Sequence, residues 1–408
     1  MRAFFSLLLL TFLGTPLHAD PAPEVRVALD RLGRFAAGGP PTNSKKLVFV
    51  YFTPADREPP PGYRERLARV MTNIQDFYGR EMSRHGFEGR GIRFDLDAKG
   101  GLLVHDVKGR LPAADYLGRD PRKGYDIRAE SSPVLRAAGI DDRNETVIYF
   151  CHLRTEQDGR ITGIGPYYGS GAQSGAFRFG RGWFTDASLF DPDRMGDKIT
   201  MLDDEEYHHI SVGRYNSIFI GGAAHELGHA LGLPHDKERQ DEAVRGTSLM
   251  GSGNRTYGEE RRDEGRGSFL TLADALRLAS HPMFSGTTSD VEIKPVCRIE
   301  DLQAEIHDQQ LEVTGHIIAS PEPYALIVYQ DPFGGDIVDA KGWHDYVSTT
   351  WTAELDATNR FKVRIGEFKP GAANLRLVVC HVNGGSSTFR FPLKVRDDAT
   401  PEPPVFGR

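Results

Sequence analysis

The chain has 408 residues, enough for two domains of ordinary size, and its 39% hydrophobic and 26% charged residues are typical of a globular protein. The formal net charge of −7 argues against a nucleic-acid partner, because such a partner needs a basic protein surface. With only Cys151, Cys297 and Cys380 present, no disulfide scaffold is expected, although a bridge between Cys297 and Cys380 stays open.

Residues 1–19 have the layout of a secretory signal peptide. Arg2 precedes an apolar run from Ala3 to Leu13, and residues 17–19 form a candidate cleavage site. The run is shorter than the roughly 20 apolar residues that span a bilayer. We therefore predict a secreted or periplasmic protein with no stable membrane span once this segment is removed.

The region from residue 45 to 284 mixes strand and helix patterns. Residues 20–44 before it are rich in Pro, Gly and Ala, which predicts a linker. The apolar run at 46–52 predicts a strand, and apolar residues at helical spacing from Tyr63 to Phe77 predict a helix. The glycine-rich residues 157–213 predict long loops with short strands. Together these patterns indicate an α+β domain, a mixed sheet with packed helices.

The C-terminal region has a different pattern. Residues 291–397 contain short strand-like runs separated by turns rich in Gly, Pro, Asn and Asp, which predicts an all-β, Ig-like sandwich. Binding of a protein or a glycan is the function we expect such a module to add. Residues 398–408, which are rich in proline, predict a flexible tail.

The stretch from His225 to His235 contains the candidate metal ligands. His225 and His229 lie four residues apart near the end of a predicted helix, so they share a face and can bind one metal ion. Gly232 can adopt the left-handed conformation that ends a helix, and the returning chain would supply His235 as a third ligand. Three imidazoles and one open position are typical of catalytic Zn²⁺.

Glu226 directly follows the first of these histidines. Its carboxylate is placed to take a proton from water as the water attacks a carbonyl, which indicates a general base in a hydrolase. A structural zinc site is the alternative, but such sites normally use four Cys or His ligands and no Cys lies near. The full spacing should occur by chance in only about 1 in 10,000 chains of this kind.

The same residues resemble the zinc signature of the metzincin clan of metallopeptidases, HExxHxxGxxH, at every fixed position. The next residue, Asp236, resembles the adamalysin and reprolysin branch. Metzincins also carry a methionine in a tight turn beneath the zinc, and Met250 is the candidate for it, 15 residues after His235. The segment from Tyr78 to Val107 is similar to an uncharacterised group of bacterial and fungal metallopeptidases.

The resemblance implies a secreted zinc-dependent endopeptidase with protein or peptide substrates and a metzincin-like domain at 45–284. One position departs from the clan, because Ser252 stands where astacin-like and serralysin-like members have a tyrosine ligand. Two other functions remain open: an exported surface-binding protein with a vestigial metal domain, and a zinc hydrolase of a non-peptide amide.

Two acidic segments, Asp203 to Glu206 and Asp191 to Asp193, offer oxygen ligands of the kind that Ca²⁺ prefers. A solvated acidic loop is the favoured interpretation of both segments, and calcium binding is the alternative.

Overall fold

A computed structural model describes residues 20–38, 45–172, 179–332 and 347–406, so the predicted signal peptide at 1–19 lies outside it. The helices are α1 (Pro23–Gly38), α2 (Tyr63–Arg84), α3 (Ala113–Tyr116), α4 (Pro121–Ala137), α5 (Val212–Ala230), α6 (Leu272–Ala279) and α7 (Pro282–Ser285). The strands of the first part are β1 (Leu47–Thr53), β2 (Val104–Lys108), β3 (Thr146–Cys151), β4 (Thr155–Gln157), β5 (Arg160–Thr162), β6 (Tyr168–Ala172), β7 (Phe179–Thr185), β8 (Thr200–Asp203), β9 (His208–Ser211), β10 (Thr247–Ser248) and β11 (Ser268–Phe269). Those of the last part are β12 (Val296–His307), β13 (Gln310–Ser320), β14 (Pro323–Pro332), β15 (Thr349–Ala353), β16 (Arg360–Ile365), β17 (Gly371–His381) and β18 (Ser386–Val395).

The central sheet has the order β2-β1-β3-β7-β6, with β6 as an antiparallel edge strand beside parallel neighbours. Strands β1 and β3 are apolar along their length because both faces of the sheet are covered. Phe49 and Tyr51 of β1 pack into the core formed with α2 and α5. The alternate residues Val50 and Phe52 pack into the core formed with α4. The α+β mixture predicted for this region is therefore present, with the strand predicted at 46–52 seen as β1.

Helix α2 confirms the helix that the spacing of apolar residues from Tyr63 to Phe77 predicted. Its buried face contains Leu67 and Ile74, which pack against the central sheet. Where they are described, the glycine-rich residues 157–213 form the short strands β5 to β9 joined by loops, in agreement with the prediction.

Helix α5 crosses the middle of the domain and is buried along most of its length. Ser211 caps its start, since the Ser211 hydroxyl accepts a hydrogen bond from the backbone N–H of Arg214. Neither α5 nor any other helix in the described ranges is long and apolar enough to cross a membrane.

The C-terminal strands form two antiparallel sheets, β12-β13-β16 and β15-β14-β17-β18. The two sheets share one hydrophobic core, to which Val313 of β13 and Val328 of β14 contribute. This agrees with the all-β prediction for residues 291–397, while the Ig-like topology stays a prediction. Cys297 and Cys380 both carry free thiols, so the bridge that the sequence left open does not form.

Helix α1 lies where the sequence predicted a linker. Its residues Val25 and Leu32 pack into the core of the first part. The buried Arg31 donates hydrogen bonds to the carbonyl oxygens of Pro323 and Asp356 in the C-terminal part. Residues 20–38 therefore contact both parts of the molecule and are not a free linker.

The predicted flexible tail turns back onto β18. The N–H of Glu402 donates to the carbonyl oxygen of Lys394 at 2.7 Å, and the ring of Phe406 packs edge-on against Phe391. As far as residue 406, the end of the chain is therefore packed against the second sheet.

Candidate metal centre

The three predicted metal ligands come together at the end of α5. The ligating atoms of His225, His229 and His235 all lie within 4.8 Å of one another, and the Nε2 atoms of His229 and His235 are 3.1 Å apart. When the His, Cys, Asp and Glu side chains of the described ranges are compared, these three histidines form the group that could hold a metal ion.

Backbone carbonyl groups orient two of these rings. Nδ1 of His225 lies 2.6 Å from the carbonyl oxygen of Leu249, and Nδ1 of His229 lies 2.9 Å from that of Leu233. These contacts place the ring proton on Nδ1 and leave the Nε2 lone pair for a metal. Burial and the neighbouring His229 lower the pKa of His225 to about 3, so this ring is neutral, as a ligand must be.

The turn at Gly232 has the geometry that the sequence predicted. Gly232 has a φ of 87°, and its N–H donates to the carbonyl oxygen of His229 while the N–H of Leu233 donates to that of Gly228. This pair of hydrogen bonds is the Schellman arrangement that ends a helix with a left-handed residue. The reversal of the chain carries His235 back toward the end of α5.

Met250 lies in a tight turn against the helix. The N–H of Gly251 donates to the carbonyl oxygen of Ser248 across this turn, and Met250 is fully buried. A Cβ atom at Gly228 would lie 2.4 Å from the Met250 sulfur, so the methionine packs directly on the helix backbone between two of the histidines. Met250 thus lies close to the candidate metal ligands, and its role as the methionine of a Met-turn stays a prediction.

Asp236 connects the third histidine to two other segments, a role that the sequence did not reveal. The hydroxyl of Ser248 donates to Oδ1 of Asp236 and that of Thr271 donates to Oδ2, both at 2.5 Å. Thr271 is also the cap of α6. The carboxyl group is completely buried, and this burial raises its pKa to about 6.

Glu226 faces the edge strand β6. Its Oε2 accepts a 2.6 Å hydrogen bond from the backbone N–H of Gly169, a residue for which the sequence indicated no role. Burial raises the pKa of Glu226 to about 8. The feature of the sequence that could have indicated this contact is the high glycine content of residues 157–213. A glycine is needed at position 169 because a Cβ there would lie only 1.8 Å from the Glu226 carbonyl oxygen.

A cavity of about 220 Å³ opens beside Glu226. The guanidinium of Arg154 lies 4.0 Å from the ring centre of Phe219 in its wall, and the Arg154 side chain is only 4% exposed. Among the described residues, Nε of Arg154 and Oδ1 of Asn254 are buried without a hydrogen-bond partner. Arg154, Asn254 and Phe219 all line the cavity, so its wall combines polar side chains with an aromatic ring.

The acidic segment at 203–206 does not assemble into a calcium site in the described structure. Its carboxylates lie against other groups: Asp204 against Arg160, Glu205 against the N–H of Gly163, and Glu206 against Arg119. Asp191 of the second acidic segment lies against Arg69. Asp203 and Asp191 are buried, so these two carboxylates are not part of a solvated acidic loop, and calcium binding stays an untested alternative.

No family model matches the chain, and no curated protein matches its sequence. Solved structures of OgpA from Akkermansia muciniphila do match. One wild-type structure has 25% sequence identity and a TM-score of 0.70 and covers 89% of this chain and 96% of that chain. A catalytically inactive OgpA in complex with an O-glycopeptide (glycodrosocin) substrate has 25% identity and a TM-score of 0.69 and covers 86% of this chain and 94% of that one. Both parts of the chain thus share the OgpA fold.

Proposed function

We propose that this chain is an exported zinc-dependent endopeptidase that cleaves O-glycosylated peptides, with Glu226 as the general base. The observation that carries this proposal is the convergence of three histidines beside Glu226 in a fold shared with OgpA. The substrate class follows from the O-glycopeptide that the inactive OgpA binds.

The donor atoms favour zinc over the other common metals. Three imidazole ligands suit Zn²⁺, whereas Ca²⁺ and Mg²⁺ require oxygen ligands. When bound, zinc polarises the carbonyl group of the substrate and lowers the pKa of water toward about 7.

Glu226 is the group that moves the proton. Its Oε2 is held by the N–H of Gly169, which fixes the orientation of the carboxylate. We assign proton transfer to Oε1, which takes the proton of the attacking water and then delivers it to the departing amine. Burial raises the affinity of this carboxyl group for a proton, which suits a group that must both accept and donate one.

The edge strand β6 is the expected docking site for the peptide backbone. It ends the central sheet at the position next to Glu226, so an extended substrate can pair with its outer edge. Such pairing would hold the scissile bond beside the metal ligands without requiring a particular side chain.

The cavity beside Glu226 is suited to a group rich in hydroxyls. Arg154 and Asn254 are polar residues of its lining and Phe219 gives an apolar wall, and a sugar presents donors and acceptors together with an apolar face. The cavity volume of about 220 Å³ is several times the roughly 30 Å³ of a water molecule, which leaves room for more than a serine hydroxyl.

The test uses Glu226→Gln with one glycopeptide and its unglycosylated twin. The variant should retain one zinc per chain and lose about 10²-fold to 10⁴-fold in cleavage rate, because a general base is removed. The parent should cleave the glycosylated peptide faster. Cleavage by the variant at the parental rate would refute the mechanism, and equal rates on the two peptides would refute the substrate class.

The same assay separates the alternative functions. Bound zinc with no cleavage in a broad peptide library would favour the surface-binding protein. Hydrolysis of a non-peptide amide alone would favour the zinc hydrolase of such amides.

The proposal of export rests on residues 1–19. N-terminal sequencing of the protein released by its host should give a chain that begins near Asp20.

A further inference from the structure

A second and larger cavity, of about 350 Å³, lies between α2 and the segment at 257–268. Its floor is apolar, with the rings of Phe77 and Tyr257 5.2 Å apart. In the described structure its walls carry five arginine side chains: Arg80, Arg84, Arg245, Arg261 and Arg266. This clustering is notable in a chain whose overall charge is −7.

The carboxylates around this cavity do not balance the arginines. Asp76 and Glu260 line it, and the buried Glu81 lies beneath it. Glu81 is 2.6 Å from Arg84 and 3.5 Å from Arg245. Among the described residues that line the cavity, the five arginines therefore outnumber the two carboxylates.

Two of the guanidinium groups lie over aromatic rings. The guanidinium of Arg245 lies 4.4 Å from the ring centre of Phe269, and that of Arg80 lies 5.5 Å from the ring centre of Phe77. Because Arg245 already contacts both the ring of Phe269 and Glu81, binding an anion would lose less of its side-chain entropy.

We propose that this cavity binds a divalent tetrahedral oxyanion, namely a phosphate or sulfate group. Guanidinium groups form paired hydrogen bonds with such oxygens, and several arginines around one space match the separate oxygens of a tetrahedron. A doubly negative ion also suits a lining in which arginines outnumber carboxylates. The anion is either a free ion or an ester group on a larger molecule.

The oxyanion cavity is separate from the candidate metal centre. Among the described residues it shares no lining side chain with the cavity beside Glu226, and it includes none of the three histidines. The two proposals can therefore fail independently. Absence of anion binding would not argue against the peptidase function, and absence of peptidase activity would not argue against anion binding.

The test is calorimetric titration of the full zinc-loaded chain with inorganic phosphate and with sulfate, against sodium chloride at equal ionic strength. Because a bound metal can also take phosphate, the site is assigned with the double variant Arg80→Gln/Arg266→Gln. Both side chains are largely exposed, so the fold should survive. The matched control is Arg143→Gln, an exposed arginine far along the chain that pairs with Asp141.

We expect one saturable site for the divalent anions, no such site for chloride, and affinity reduced at least about tenfold in the double variant but not in the control. Binding of an O-sulfated or O-phosphorylated sugar without binding of the free ions would identify the ester as the source. No saturable binding by any of these probes, or equal affinity in the parent and the double variant, would overturn the proposal.

Discussion

The backbone N–H of Gly169 donates a 2.6 Å hydrogen bond to Oε2 of Glu226, and this contact joins the edge strand to the metal-site helix. The contact requires a glycine, because a Cβ at position 169 would lie 1.8 Å from the Glu226 carbonyl oxygen. Gly171 and Gly180 approach the same helix, where a Cβ would lie 2.3 and 2.2 Å from the Ala230 carbonyl oxygen. Glycines therefore set the distance between the sheet and the helix.

Replacing Gly169 by alanine should displace the strand and the carboxylate together. A shift of about 1 Å at reacting groups can lower a rate by about 10²-fold, so we expect at least that loss in kcat/KM of Gly169→Ala on a glycopeptide. Gly196→Ala is the control, since a Cβ there meets nothing within 4 Å. Parental activity in Gly169→Ala would show that this contact does not position Glu226.

Gly228→Ala should disturb the methionine turn, because the new methyl group would lie 2.4 Å from the Met250 sulfur. Overpacking of this kind costs about 1–3 kcal/mol, measurable as a lower free energy of unfolding in urea. Gly79→Ala is the helix control, with nothing within 4 Å of its Cβ, and should stabilise the protein by up to about 1 kcal/mol. Equal stability of Gly228→Ala and the parent would contradict the packing described.

Removal of the metal should lower both stability and activity. A metal at 100 times its Kd stabilises the folded state by about 2.7 kcal/mol, so a chelator should lower the Tm and zinc should restore it. Calcium should fail to do so, because the ligands are imidazoles. His235→Ala should show no zinc-dependent change in Tm. A Tm insensitive to the chelator would argue that the histidines hold no metal.

Asp236→Asn should weaken zinc binding without touching a ligand. The carboxylate accepts hydrogen bonds from Ser248 and Thr271, and an amide can accept them only through its single oxygen. Loss of such supporting contacts typically lowers metal affinity about 10–100-fold, which competition with a chromophoric chelator would measure. The exposed Asp241→Asn is the control and should leave the affinity unchanged.

His85 should make stability depend on pH in the acidic range. Burial lowers the pKa of His85 to about 4, and its Nε2 lies 2.8 Å from the carbonyl oxygen of Leu270. Between about pH 4 and 6.5 the unfolded chain therefore binds the proton more strongly, so this contribution to stability is complete above pH 6.5 and is lost as the pH falls toward 4. His85→Gln keeps a donor but cannot titrate, and its unfolding free energy should fall less steeply over that interval. Identical slopes would contradict the assignment.

Helix α1 is an element that the sequence pattern did not predict. The spacing of Val25, Ala28 and Leu32 is helical, and these residues form the buried face of α1, yet the surrounding Pro, Gly and Ala predicted a linker. Short-range composition contains no information about the C-terminal carbonyl groups that Arg31 contacts, because they follow almost 300 residues later. What stabilises α1 is tertiary packing, which local propensity does not describe.

By itself the sequence determined the local geometry of the candidate metal centre. His225 and His229 are placed by the helical repeat and His235 by the left-handed turn at Gly232, and these are relations over a few residues that backbone geometry fixes. Only the tertiary structure decided which distant groups support the site. Gly169 meets Glu226 across 57 residues, and Thr271 meets Asp236 across 35, because the sheet order and the path of the chain bring them together. Contacts of that kind depend on the topology of the fold, which the local spacing of residues in the sequence does not determine.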